Sequence, residues 1–302
     1  DDSYPKTAPA FVPLSTLFHG LKKTNKNDTA AICHYHCNIH FPHFIQEIVR
    51  CFSFWRSRPN QTPVLLVPRR QWNRFLLNPT ALKERSRFDY GIVEGLKEAI
   101  GLKIFKTYYG ARVKTRSFSE VDHKVSPYSM RSRQDAIELR DIFVHMMTNQ
   151  SSSSLSPSNL LKKEKRGHDQ DKEESLRITF INRGGKNRSI LNVDSILTSL
   201  QEAFPQHQVV LQYFDDSSFE EQVELYSQSD VVIAPHGAQL TGIMFMPPCS
   251  AVLELFPHLY HTPYFFSSLA NISGLVHGSW YVSVDSEVPL PNSLDLHTRL
   301  NN

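Results

Sequence analysis

The apolar positions of this chain change period as the sequence proceeds, and each change predicts an element. Phe44, Ile45, Ile48, Val49 and Phe52 recur at helical spacing and predict a helix from His43 to Trp55, followed by a strand at Pro63 to Val67. Helices are predicted around Ile92 to Ile100 and from Arg131 to Met147, with extended segments at Lys103 to Tyr109 and Arg116 to Val121. Beyond residue 175 the alternation is more regular. Strands are predicted at Leu176 to Arg183, His207 to Phe214, Val231 to Ile233, Ala251 to Phe256 and Trp280 to Val284. Helices are predicted at Val193 to Phe204, up to Gln228, from about Ala238, at Tyr264 to Ala270 and near Leu294. Ser218 with Glu221 has the spacing of a capping box for the helix that ends at Gln228. Strands alternating with helices at this length predict an α/β fold, a parallel Rossmann-like sheet with right-handed crossovers.

Composition divides the pattern. Residues 1–30 are rich in Pro, Lys, Asn and Thr around one apolar island, Phe11 to Phe18, and read as an extended leading segment. Residues 149–175 run through four consecutive serines into KKEKRGHDQDKEES, too poor in apolar surface to order themselves, and read as a flexible linker or surface insertion. The predicted organisation is therefore an N-terminal α/β domain over 1–148, the linker over 149–175 and a C-terminal Rossmann-like domain over 176–302. A net charge of +3, with the basic residues scattered, gives no footprint for nucleic acid. No apolar run reaches the length of a membrane span, which leaves open an anchor outside this chain.

The candidate chemistry gathers at strand ends. Val231, Val232 and Ile233 lead through Pro235 to His236 and Gly237, where the strand hands over to a helix beginning near Ala238. At the carboxyl edge of a parallel sheet that helix start is suited to an anion, with Gly237 allowing close backbone approach and His236 offering a side-chain donor. The first strand of the same half ends in NRGGKNRSILN, placing Arg183, Lys186 and Arg188 beside a glycine turn and Asn192 near the next helix start. Guanidinium forks there suit a diphosphate, and a basic surface loop is the plain alternative. Glu254 lies inside an apolar strand, where a carboxylate needs a partner such as a ligand hydroxyl.

Taken in order and spacing, Arg183, Arg188-Ser-Ile-Leu-Asn192, Phe219-Glu-Glu-Gln222, His236-Gly-Ala-Gln-Leu-Thr241 and Glu254-Leu-Phe-Pro257 resemble glycosyltransferase family 61. In the first half the resemblance rests on Asn38, His43 and Glu47. It implies a GT-B fold, two Rossmann-like domains facing a cleft, with the acceptor on the N-terminal side and a nucleotide sugar, usually a UDP-sugar, in the C-terminal half. It further implies inverting transfer of a sugar such as GlcNAc or xylose to a hydroxyl of a glycoprotein or glycan. Donor contacts would come from Arg183, Arg188, Asn192, His236, Gly237, Ala238, Leu240 and Thr241, with Glu254 on the ribose. Arg188 would stabilise the leaving diphosphate, and His43 or Glu47, one helical turn apart, would supply the acceptor-side base. A satisfied core histidine is an equally ordinary reading of His43. No cofactor is implied, because arginines and a helix terminus meet the phosphates in place of a divalent metal. Gln239 stands where the family usually has Gly, which keeps a second reading, an inactive relative that binds glycans or a protein partner. A non-glycosyl nucleotide-binding enzyme is disfavoured by the lack of a Walker loop and of the dinucleotide glycine fingerprint.

Five N-glycosylation tripeptides, at Asn27, Asn60, Asn149, Asn187 and Asn271, exceed the roughly two expected by chance from fifteen asparagines and point to a secretory-pathway lumen, Golgi or endoplasmic reticulum. The cluster Cys33, His34, His36, Cys37, His40 and His43 has ligand types for zinc, but a disulfide from Cys33 or Cys37, or simple burial, accounts for it as well. Asp169-Gln-Asp171 matches an Asp-x-Asp metal motif and sits among solvated charges with nothing nearby to hold the carboxylates around a metal.

Overall fold

The computed structural model describes residues 30–34, 41–68, 87–107, 128, 130–150, 175–184, 189–214, 217–257, 260, 262 and 264–281. The segment at Arg116 to Val121, the terminal helix near Leu294, Asp169 and Asp171 and most of the 149–175 linker lie outside them.

The N-terminal unit, residues 1–135, holds a parallel sheet in the order β1-β2-β3, formed by β1 (Ala30–His34), β2 (Thr62–Pro68) and β3 (Lys103–Thr107). Helix α1 (Phe41–Arg56) connects the first pair and α2 (Arg87–Ile100) precedes the third strand. The predicted apolar stripe of α1 is the face that packs: Phe44, Ile45, Ile48, Val49 and Phe52 are all buried. Each such side chain contributes about 1.5–3 kcal/mol of burial. Two further links tie α1 to β1, a Cys33–Cys51 disulfide and a 3.0 Å hydrogen bond from Trp55 Nε1 to the carbonyl of Ala31. The disulfide takes Cys33 out of any zinc set. Strand β1 was absent from the sequence expectation, since Ala30–His34 is short and ends among histidines and cysteines that favour no periodicity.

Helix α3 (Arg133–Gln150) was expected to close the N-terminal domain. Instead the boundary between the two units falls inside it, after Asp135, and the C-terminal unit begins at Ala136. The cause is Phe143, which is fully buried and meets Phe219 at 5.7 Å and Phe245 at 5.6 Å in edge-to-face geometry, both from the C-terminal half.

The C-terminal unit holds a parallel sheet in the order β5-β4-β6-β7-β8. Its strands are β4 (Arg177–Ile181), β5 (Gln208–Gln212), β6 (Val231–Pro235), β7 (Ala251–Phe256) and β8 (Val276–Tyr281). Helices α4 (Val193–Ala203), α5 (Phe219–Gln228) and α6 (Phe265–Ser273) connect them. The capping box of α5 forms as expected: Ser218 Oγ accepts from the N–H of Glu221, and the Glu221 carboxylate accepts from the N–H of Ser218. The last strand lies earlier than expected, at Val276 rather than Trp280, because Gly274 in a left-handed conformation ends α6 at once. On one face of the sheet Ile178, Phe180 and Ile233 pack with Ile196, Leu197 and Leu200 of α4.

The segment after β6 differs from expectation in kind. It is a 3-10 helix, Ala238–Phe245, rather than an α-helix. Eight residues at about 2.0 Å each reach roughly 16 Å, the length of a five-residue strand, whereas an α-helix of eight would stop at about 12 Å. The tighter winding lets a very short connection return the chain to the start of β7. Gly242 is needed within it, since a Cβ there would stand 2.0 Å from the ring of Tyr226.

Candidate active site

The order of the C-terminal sheet reverses direction between β4 and β6. Open α/β sheets bind ligands at such a switch point. β4 delivers Asn182 and Arg183 to this edge, and β6 delivers His236 and Gly237.

Arg183 and Gly237 are brought together. A Cβ placed on Gly237 would lie 3.0 Å from Arg183 Nη1 and 2.9 Å from Gln239 Oε1. The loop that follows Arg183 is closed by Asn182, whose side chain bonds both polar groups of the Ile190 backbone at 2.9 Å, Nδ2 donating to the carbonyl and Oδ1 accepting from the N–H. Sequence reasoning passed over Asn182; the only signal was an amide at the last buried position of an apolar strand. Arg188 lies outside the described residues, within the loop that this clamp brackets. Asn192 is exposed where α4 begins and its side chain makes no cap. Ala238 is half-buried in the first turn of the 3-10 helix.

The other expected donor contacts take different positions. Glu254 is 0% exposed, and both carboxylate oxygens are occupied: Oε1 faces His236 Nδ1 at 2.5 Å and Oε2 faces His277 Nε2 at 3.0 Å. Both oxygens are thus already engaged within the protein. The reason is register, since Glu254 shares its sheet face with His277, one strand over. Burial by itself would raise the Glu254 pKa, but hydrogen bonds and charge from the two imidazoles bring it below the usual carboxylate range. His236 is likewise turned inward. Its ring is 6% exposed, stacks on Phe256 at 5.1 Å, contacts Tyr260 and Phe266, and has Thr262 Oγ1 at 3.3 Å from Nε2. Its backbone N–H is held by the carbonyl of Leu255 at 2.8 Å. These contacts anchor the turn that follows β6. Leu240 and Thr241 are fully buried, and the Thr241 hydroxyl has no hydrogen-bond partner among the described residues. On the N-terminal side, Glu47 is half-buried on α1, and the side chain of His43 lies outside the described residues.

What remains at the switch point is a half-buried guanidinium over a glycine, beside a helix start whose first N–H groups have no partner within the helix. Such an arrangement has the chemistry to meet an anion, and the unit is a parallel α/β sheet with a guanidinium and a helix start at one edge. The Glycosyltransferase 61 family profile matches residues 41–253, and the chain belongs to that family. It is 30% identical over 108 residues to the EGF domain-specific O-linked N-acetylglucosamine transferase of Drosophila melanogaster, covering 36% of this chain and 20% of that protein. To protein O-linked-mannose beta-1,4-N-acetylglucosaminyltransferase 2 of Bos taurus it is 36% identical over 94 residues, covering 30% and 16%. These matched stretches thus span a fifth or less of the length of those relatives. Among solved structures, a glycotransferase of kitacinnamycin shows slight likeness, with a TM-score of 0.25 and 12% identity over 78% of this chain and 68% of that one.

Proposed function

We propose that this protein is an inverting glycosyltransferase that moves a sugar, GlcNAc or a pentose such as xylose, from a UDP-sugar to a hydroxyl of a glycoprotein or glycan. The single observation that carries the reading is the seating of Arg183 over Gly237 at the switch point of a family 61 chain. The names of the relatives favour GlcNAc as the sugar and a glycoprotein as the acceptor.

In this reaction a base takes the proton of the acceptor hydroxyl, its oxygen forms a bond to the anomeric carbon from the side opposite the phosphate, and the carbon–phosphate oxygen bond breaks. UDP leaves with the bonding pair. Negative charge grows on the diphosphate as that bond lengthens, and Arg183, Arg188 and the backbone N–H groups after Gly237 stabilise it. The proposal includes a GT-B organisation, with the donor in the C-terminal unit and the base, His43 or Glu47, from the N-terminal one. It also includes metal independence, since guanidinium forks supply the charge that a divalent ion would otherwise bring. A secretory-pathway lumen fits the Cys33–Cys51 disulfide, a bond that persists in oxidising compartments.

The test is UDP release from a panel of UDP-sugars, with and without a glycoprotein acceptor and with and without EDTA. Acceptor-dependent release from one donor, unaffected by EDTA, is the expected result. Binding of a UDP-sugar without turnover on any acceptor would instead favour the inactive, binding-module reading.

A further inference from the structure

Gly237 has an extended backbone, φ 168° and ψ 175°, which any residue adopts. Its missing side chain matters for space alone, and that space is already occupied. The Gln239 side chain folds back from the 3-10 helix, its Nε2 donating to the carbonyl of Pro235 at 3.2 Å. This bond fixes which end of the carboxamide faces the glycine. Oε1, an acceptor, is the atom 2.9 Å from the position of a Gly237 Cβ, with Arg183 Nη1 3.0 Å from the same point.

Resting on the donor-site reading above, we infer that Gln239 is a specificity-determining residue, one that contests the ground over Gly237 with the terminal phosphate of a bare nucleoside diphosphate and so discriminates against it. A terminal phosphate at neutral pH presents acceptor oxygens and has no proton to give to Oε1. Two acceptors cannot share that spot, so free UDP must turn the carboxamide out and break its bond to Pro235. A sugar on the β-phosphate changes the chemistry, because its hydroxyls donate to Oε1 and leave Gln239 in place. The site therefore holds a nucleoside diphosphate sugar in preference to the nucleoside diphosphate it becomes, which favours product release.

The side chain is separable from the fold. Tyr226, whose buried hydroxyl donates to Gln239, bonds the backbone carbonyl and not the carboxamide. Calorimetric titration of the full chain with UDP and with UDP-GlcNAc tests the inference in wild type, Gln239→Ala, Gln239→Glu and Arg183→Ala. Gln239→Ala is expected to bind UDP about threefold to tenfold more tightly, the worth of one neutral hydrogen bond, while UDP-GlcNAc, deprived of the acceptor for its sugar hydroxyls, binds no more tightly than to wild type. Gln239→Glu, of the same shape, is expected to weaken UDP more than tenfold, because its carboxylate pairs with Arg183 and repels phosphate. UDP binding that Arg183→Ala weakens but neither Gln239 variant shifts as stated overturns the inference and leaves the donor site standing. If wild type binds neither ligand, the donor-site reading falls and the inference with it.

Discussion

The two units are both parallel α/β sheets, yet they differ in what their strand order makes of the carboxyl edge. In the N-terminal unit the strands lie in sequence order, β1-β2-β3, so among the described residues no connection reverses direction within the sheet. In the C-terminal unit the order β5-β4-β6-β7-β8 turns back between β4 and β6, and Arg183 and Gly237 meet at that reversal. The means of holding the sheets differ as well. The N-terminal unit ties its first helix to its first strand covalently, through Cys33 and Cys51. The C-terminal unit, with no disulfide among its described residues, relies on an aromatic cluster and on buried polar pairs. Thr179 donates to Ser229 at 2.7 Å, Ser229 donates to the carbonyl of Leu225, and Glu254 bridges two histidines. The edge where Arg183 and Gly237 meet and a polar interior thus occur together, because the strands that carry those residues also carry the groups that hold them.

Three perturbations bear on this contrast. Phe143→Ala has the largest expected effect, about 3–5 kcal/mol for an aromatic removed from a closed core. Peptide-resolved hydrogen exchange should show protection lost across 177–281 and kept across 44–67. Equal loss in both would refute the assignment of α3 to the C-terminal unit. Reduction of the Cys33–Cys51 bond, or Cys33→Ala with Cys51→Ala, should cost about 3 kcal/mol for a loop of this length, confined to 44–67 in the same measurement. Unchanged exchange there would remove the disulfide from the account of the N-terminal unit.

Glu254→Gln should have the smallest effect, about 1–3 kcal/mol at pH 7, from the buried donors it leaves poorly matched. Here the sign with pH is diagnostic. The folded carboxyl titrates below the usual value, so its contribution is present above the unfolded pKa of about 4.3 and is lost as pH falls through the lower folded value. Urea unfolding of wild type and variant should therefore converge towards pH 3. A gap that stays constant from pH 7 to pH 3 would show that the carboxylate's charge adds nothing.

Most elements were legible because periodicity reports burial, and burial recurs locally. The stripe of α1, the capping box of α5 and the apolar run of β6 each depend on residues within one or two turns or strands of one another. The site was legible in part. Arg183 and Gly237 were expected at one edge, and they are neighbours there. Glu254 was read as a ligand contact because a carboxylate in an apolar strand calls for a partner, and His236 because it stands beside Gly237 at the carboxyl edge; nothing in the sequence pairs the carboxylate with that histidine and with His277 on the next strand.

By itself, then, the sequence determined the α/β class, the alternation of elements in the C-terminal half and the residues, Arg183 and Gly237, that meet at one sheet edge. The tertiary structure decided what pairwise pattern cannot express. Register set Glu254 beside His277, and packing of Phe143 moved a helix from one unit to the other. Connection length wound Ala238–Phe245 as a 3-10 helix, and the return of the Gln239 side chain filled the space that Gly237 leaves. Each of these joins residues distant in sequence or depends on where a side chain turns, and such contacts are fixed only when the sheet has closed.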